Sequence, residues 1–195
     1  MTRTVSRLFD SYSQAQAAVE ALEHAGFSNS EVSLVSRYRD DNTLVGDGEV
    51  SNTATGATTG ALIGGGGGLL AALGLIAIPG IGPLVAAGVL ATTLVGAAGG
   101  SVVGGLIGAL TSAGVSEEDA HVYSEGVRRG SSLVTVSTDD ARAAKAESIL
   151  NSHKPVDVRQ RREDYVAEGW SQYDPNAKGY TADEIRQERE TYKRR

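Results

Sequence analysis

The chain has no cysteine, one tryptophan and two phenylalanines, and it carries no charged residue between Glu49 and Glu117. Without cysteine it can form no disulfide, no thiolate metal site and no cysteine nucleophile. Aromatic residues make up 5% of the sequence although 41% is hydrophobic. Any core must therefore consist mostly of small aliphatic side chains.

The sequence also lacks the residue patterns of nucleic-acid, metal and phosphate binding sites. The net charge is −6, and the sequence lacks the clustered Lys and Arg that phosphate binding requires, so we expect no nucleic-acid partner. His24, His121 and His153 are far apart and lack a metal-ligand spacing. The run Gly64 to Gly68 lacks the Gly-Lys-Ser/Thr end of a phosphate-binding loop. We predict no metal, no cofactor and no enzymatic activity.

Glycine is abundant in the middle of the chain. Of the 25 glycines, 18 fall between Gly56 and Gly114. Many of them recur every fourth residue, which keeps them near one face of a helix and leaves a groove where backbones can approach closely. Nine glycines are predicted to be helix-packing positions: Gly56, Gly60, Gly64, Gly68, Gly88, Gly96, Gly100, Gly104 and Gly108.

Two prolines and two glycines interrupt this segment, which predicts a turn at Pro79, Gly80, Gly82 and Pro83. We therefore expect residues 53–113 to form a long antiparallel helical hairpin, a glycine zipper. Arms of about 25 to 30 residues would measure roughly 37 to 45 Å, which exceeds the ~30 Å hydrocarbon core of a bilayer. The hairpin is expected to be a pair of transmembrane helices or to pack against other copies.

The flanking segments predict an α+β domain. Residues 1–36 have a strand–helix–strand pattern, with Ser11 and Gln14 at capping-box spacing. Residues 114–159 predict a helix capped by Ser116, a strand, a second helix, and a last short strand through Val156 and Val158. Two such halves suggest a ferredoxin-like split βαβ sandwich, interrupted by the hairpin.

Two further segments are polar. Residues 37–52 are predicted to be a linker, and residues 160–195 a charged, aromatic-containing and partly helical tail. Thr181 and Glu184 have the spacing of a capping box, which predicts a helix over residues 182–193. A polar tail explains the composition, but Trp170 and Tyr173 also suggest a segment that docks on a partner whose identity the sequence does not indicate.

The order of these segments resembles a known family. VSRLFDSYSQAQAAVEALEHAGF is followed by IAIPGIGPLVAAG and then by GLIGALTSAGVSEEDAHVYSEGVRRGSSLVTVSTDDARAAKAESIL. Over about residues 4 to 159 the chain is similar to the bacterial general stress proteins, which include heat-induced and low-temperature-induced members. The resemblance implies a non-enzymatic protein made under stress, often predicted to associate with membranes. It supplies no catalytic residues.

The leading hypothesis is therefore a bacterial stress-response protein in the cytoplasmic membrane, with membrane lipid as a partner and its α+β domain in the cytoplasm. One alternative is a cytoplasmic structural protein that forms a homo-oligomer through its glycine-zipper helices. A second alternative, based on fold analogy alone, is a small-ligand sensor.

Overall fold

The computed structural model describes residues 2–37, 74–78, 82–87 and 105–193. Its five strands are β1 (Thr2–Phe9), β2 (Val32–Ser36), β3 (Gly74–Ile78), β4 (Gly82–Ala87) and β5 (Ser132–Asp139). Its six helices are α1 (Tyr12–His24), α2 (Gly105–Ser112), α3 (Glu117–Arg128), α4 (Asp140–Ser152), α5 (Val158–Ala167) and α6 (Ala182–Lys193). The prediction of an α+β fold is confirmed.

The strands form a single sheet in the order β1-β5-β2-β4-β3, and each neighbouring pair is antiparallel. Strand β5 lies between β1 and β2, so that Val136 is opposite Val5 on one side and Val32 on the other. Both strands of the N-terminal segment, β1 and β2, therefore depend on β5 for their hydrogen bonds. Residues 1–36 cannot complete this sheet without residues beyond position 131.

Helices α1 and α4 cover one face of the sheet. On α1, Ala15, Ala18, Val19 and Leu22 recur at helical spacing, and all four are fully buried, as the sequence predicts. They pack with Ala143, Ala146 and Leu150 of α4 and with residues of β1, β2 and β5. The small side chains of both helices allow them to lie close to the strands.

The opposite face is covered by α2 and α3. Leu8, Val35 and Leu133 point to this side of the sheet. They pack with Tyr173 from the C-terminal segment and with six buried residues of the two helices. These six are Leu106, Ala109 and Leu110 of α2 and Ala120, Tyr123 and Val127 of α3. Strands β1, β5 and β2 are therefore buried on both faces, between two layers of helices.

The prediction of helical arms is wrong for residues 74–78 and 82–87, whereas Gly105–Ser112 at the end of the second arm is helical as predicted. Gly74–Ile78 and Gly82–Ala87 are strands that pair with each other, with Ile78 opposite Gly82. The two strands run antiparallel to each other. β4 also pairs with β2, so its backbone groups form hydrogen bonds within the sheet. Glycine has a low helix propensity, so a helix would be a less favourable way to satisfy these backbone groups. The short aliphatic run Leu75-Ile76 suits a strand better than a helix.

The transmembrane-helix prediction is corrected by the same observation. Across residues 2–37, 74–78, 82–87 and 105–193, no helix combines the length and the apolar character needed to cross a bilayer. The helix that the structure places at the end of the glycine-rich segment, α2, has eight residues. At 1.5 Å per residue it is about 12 Å long, against a hydrocarbon core of ~30 Å.

Two local predictions also need correction. Ser11 is the N-cap of α1, but its side chain accepts no capping hydrogen bond, and its hydroxyl instead lies 2.7 Å from that of Ser13. Val156 and Val158 do not form a strand: the Val156 N–H donates to the Leu8 carbonyl at 2.8 Å, and α5 begins two residues later. The Asp157 carboxylate accepts from two backbone N–H groups, and this cap stabilises the helix over further pairing with β1.

The other predicted helix starts are confirmed. The Ser116 side chain accepts from the Asp119 N–H at the start of α3. Thr181 and Glu184 form a reciprocal capping box at the start of α6, with the Thr181 N–H donating to Glu184 at 2.7 Å.

Candidate functional site

The C-terminal segment packs on the domain and is the most distinctive feature of its surface. We call residues 158–193, which comprise α5, α6 and the connection between them, the latch. Its apolar contribution is small: Tyr165 and Ile185 are fully buried, and Tyr173 is 5% exposed. Most of its remaining contacts with the domain are made by charged and aromatic side chains.

Ile185 of α6 packs against a glycine. A Cβ atom at Gly130 would lie 2.4 Å from Cγ2 of Ile185, which is far inside contact distance. Gly130 also has a φ of +95°, in the region that favours glycine, because the chain turns there from α3 into β5. Only glycine meets both requirements, so Gly130 and Ile185 together define where α6 docks.

Arg129 joins the domain to both helices of the latch. Its guanidinium contacts three carboxylates: Glu125 at 2.7 Å, Glu168 at 2.6 Å and Glu188 at 2.7 Å. Glu125 is completely buried on α3 and also pairs with Arg128 at 2.6 Å. Burial by itself would lower the pKa of Arg129, but the hydrogen bonds that it donates to the carboxylates, Glu125 first, raise that pKa above its ordinary value. Arg129 therefore stays charged.

A second ion pair ties the latch to the start of α1. Arg161 of α5 donates to both oxygens of Asp10, at 2.9 and 2.7 Å, in the bidentate geometry that arginine forms with a carboxylate. The Tyr192 ring of α6 lies 3.7 Å from the Arg161 guanidinium carbon. This one arginine thus holds α5 on the domain and α6 on α5.

Four more hydrogen bonds between a side chain and a backbone group join the latch to the domain. They involve three arginines and one histidine. Arg37 donates to the Tyr180 carbonyl at 2.6 Å, and Arg128 donates to the Lys178 carbonyl at 3.1 Å. In the opposite direction, Arg189 of α6 donates to the Gly130 carbonyl at 3.0 Å. The Tyr173 N–H donates to Nδ1 of His121 at 3.2 Å. These bonds fix the course of the connection between α5 and α6.

The tyrosines of the latch are kept neutral. Burial raises the pKa of Tyr173 to about 12, and burial also raises the pKa of Tyr165 above its ordinary value. The Tyr165 ring lies 4.1 Å from the Arg129 guanidinium carbon and packs edge-on against Trp170, with ring centroids 5.6 Å apart. A neutral phenol held this way is a packing group and not a nucleophile.

A cleft of about 1050 Å³ lies between the start of α1, the segment before α5, and the two latch helices. The Asp10–Arg161 pair lines it, together with three more acids and three more bases: Asp157, Asp164, Glu190, Lys154, Arg186 and Arg189. Its charges are balanced, and Asp157 and Arg161 already serve the structure. In the part of the chain that the structure describes, no group of three metal-ligating side chains occurs.

Most of the predicted helix-packing glycines lie outside the part of the chain that the structure describes. Gly108 lies in α2, and the other eight lie outside the described residues. Of the predicted turn residues, Gly82 and Pro83 begin β4, whereas Pro79 and Gly80 lie outside the described residues. The two aromatic residues proposed for docking contact their own chain: Tyr173 is buried with α2 and α3, and Trp170 packs on Tyr165.

Sequence reasoning did not find Asp10, Glu125, Arg129 or Arg161 as a group. The spacing of Glu125 from Arg128 and Arg129 is a signal for ion pairs within one helix. Nothing in the linear sequence indicates that residues about 40 and 60 positions later complete the cluster.

Comparison with known proteins adds no relative: no family model matches the chain, and neither a curated protein nor a solved structure matches it.

Proposed function

We propose that this chain is a non-enzymatic stress-response protein that assembles with other copies of itself through the glycine-rich segment 53–113. The folded α+β domain carries this segment, and the latch stabilises the domain. The stress-response role rests on the resemblance to bacterial general stress proteins, and the mode of association rests on the placement of the segment.

The observation that carries the proposal is the pairing of β4 with β2. Leu34 is opposite Ala87 and Ser36 is opposite Val85, so the middle of the charge-free segment continues the sheet of the domain. The segment then returns to the same domain through α2, which packs on α3 and the sheet. Strands rich in small residues allow close backbone approach, and sheets associate readily along their edges. These features favour self-assembly over a pair of membrane-crossing helices.

We propose in addition that β1, β5 and β2, with α1 and α4, have a ferredoxin-like arrangement. The βαβ unit of β1, α1 and β2 is split by β5, and α1 and α4 lie on the same face. The single bond from the Val156 N–H to the Leu8 carbonyl occupies the place where a fourth strand would pair with β1. The early turn into α5 accounts for the missing strand.

The charged groups support a non-enzymatic role. Arg129 and Arg161, which are both buried, form ion pairs that fasten the latch, and the buried Glu125 pairs with Arg129 within the domain. An enzyme needs groups poised for reaction, with pKa values near the working pH. Here Arg129 and Arg161 are occupied in ion pairs, and an arginine stays charged throughout the physiological pH range.

Fractionation of stressed cells, followed by sizing of the full chain with and without detergent, tests the proposal. We expect alkaline washing to release the protein from membranes and sizing without detergent to show an oligomer. Gly100→Leu should reduce the oligomer, whereas Ala167→Leu, at an exposed position of α5, should leave it unchanged. A monomer without detergent would contradict self-assembly. A protein that alkaline-washed membranes retain would contradict the proposed mode of association and favour association with lipid.

A small-ligand sensor is the second candidate, and the cleft beside the latch favours it. Its volume is at the upper end of the range of roughly 300 to 1,000 Å³ that is usual for ligand pockets. A thermal-shift screen of charged metabolites tests this candidate: a ligand whose stabilising effect is lost in Lys154→Ala supports it, and a screen without stabilising ligands counts against it.

A further inference from the structure

The latch is joined to the rest of the domain by a short hinge, residues 153–157 between α4 and α5. Two backbone hydrogen bonds join the hinge to the domain: the His153 N–H donates to the Leu150 carbonyl at 3.2 Å, and the Val156 N–H donates to the Leu8 carbonyl at 2.8 Å. Beyond the hinge, the latch is a continuous piece of chain that docks through its own set of contacts. Its position therefore depends on those contacts and on the conformation of a few hinge residues.

The hinge contains an unfavourable backbone conformation. Lys154 has a φ of +56°, and in the ranges that the structure describes it is the one non-glycine residue with positive φ. An L-residue is disfavoured there because its Cβ crowds the following carbonyl group. The next residue is Pro155, whose ring further disfavours helical conformations at position 154 and favours extended ones. Straightening the hinge at Lys154 would relieve both effects.

We infer that the latch exchanges between two copies of this chain, so that the latch of each copy docks on the domain of the other. Every contact that holds the latch, including Arg161 on Asp10, Arg129 on Glu168 and Glu188, and Ile185 on Gly130, can form identically with a partner's latch. The exchanged dimer keeps these bonds and releases the strain at Lys154. Exchange of an identical element in this way is a low-cost route to a dimer, and short strained hinges promote it.

The geometry of the hinge permits the exchange. Five residues in extended conformation span at most about 17 Å, which is enough to carry α5 away from its own domain onto an adjacent one. Dimer formation is bimolecular and the closed form is unimolecular, so the exchanged fraction rises with protein concentration.

Charge reversal at the Asp10–Arg161 pair tests the inference. In Asp10→Arg the domain repels the latch, and in Arg161→Glu the latch repels the domain, so each variant alone should lose protection of the latch from limited proteolysis. An exchanged heterodimer has one interface in which the two substituted side chains meet with opposite charges. In its other interface the native Asp10 meets the native Arg161, so both interfaces are matched. Mixing the two full-length variants should restore protection and produce a dimer of the two.

The controls separate latch exchange from assembly through the glycine-rich segment, on which this inference does not depend. The double variant Asp10→Arg/Arg161→Glu should protect its own latch without mixing, which shows that the reversed pair forms. Two differently tagged samples of Asp10→Arg measure any association that does not involve the latch. If the mixed variants co-purify no more than these samples and gain no protection, the inference is wrong.

A hinge variant gives an independent test if the reversed pair fails to form. Lys154→Gly removes the conformational penalty of the closed hinge and leaves every contact of the latch in place. Because the chain has no cysteine, one cysteine placed in the latch and one in the domain report exchange as disulfide-linked dimers. We expect these dimers in the otherwise unchanged chain, increasing with concentration, and fewer of them in Lys154→Gly. Linkage confined to single chains at every concentration would overturn the inference.

Discussion

Helices α1 and α4 on one side and the latch on the other are both packed on the rest of the domain, but different interactions attach them. The α1–α4 layer buries a continuous aliphatic cluster that includes Leu22 and Leu150. The latch buries few apolar side chains and is held by Arg129, Arg161 and their carboxylate partners. Apolar burial is tolerant of geometry, whereas bidentate and stacked arginines require one position. The first layer makes the domain stable, and the second makes the position of one segment specific.

Arg129→Ala is expected to have the largest effect on the stability of the protein and on the attachment of the latch. The substitution leaves Glu125, which is completely buried, without its second arginine and detaches Glu168 and Glu188. Removing one partner of a buried ion pair costs about 3 to 5 kcal/mol. Chemical denaturation should show this loss, and proteolysis should cut the latch first. A matched substitution of the exposed Arg159 should have little effect. An intact latch in Arg129→Ala would mean that the apolar contacts suffice.

Leu22→Ala tests the apolar layer. Leu22 is fully buried between α1 and the sheet, so the substitution leaves a cavity. Such substitutions cost about 2 to 5 kcal/mol. We expect a lower free energy of unfolding for the whole domain, without the selective cleavage of the latch seen for Arg129→Ala. Val166→Ala, at a position that is 53% exposed, is the control. Selective loss of the latch in Leu22→Ala would show that the two regions are not held independently.

Gly130→Ala should weaken the docking of α6 on the domain, with a smaller loss of stability than the two substitutions above. An added Cβ would lie 2.4 Å from Ile185, and φ is +95°. A non-glycine residue in this region costs about 1 to 3 kcal/mol. Combining the variant with Ile185→Ala should recover the part that is due to the contact. If the double variant is no better than the expected sum of the two single ones, strain in the backbone accounts for the whole effect.

The smallest expected effect is a pH dependence at the start of α6. The backbone hydrogen bond from Thr181 lowers the pKa of Glu184 below its ordinary value. A lowered pKa in the folded state means that the ionised carboxylate stabilises the fold at pH values above the unfolded pKa, and that this stabilisation is lost as the pH falls through the folded value. Denaturation of the unsubstituted chain and of Glu184→Gln at pH 7 and pH 3 should show a difference that shrinks in acid. A difference independent of pH would contradict the capping role.

Local patterns in the sequence predicted much of the domain correctly. The buried face of α1, the Ser116 cap and the Thr181–Glu184 box all follow from residues within one or two turns of each other. The predictions that were wrong involve competition between local and distant partners. Val156 and Val158 suit a strand, but the cap at Asp157 starts α5. The glycine spacing suits a helix groove, but Gly74–Ile78 and Gly82–Ala87 pair as strands.

The sequence by itself determined the composition of the core and most of the helix ends, because spacing and capping act over a few residues. Only the tertiary structure decided that β4 joins β2 and that a segment resembling a charged tail is a docked latch. The Arg129 cluster unites carboxylates 4, 39 and 59 positions away. Such ion pairs are strong only where packing excludes water and holds the charges close together, and that packing is a property of the whole fold.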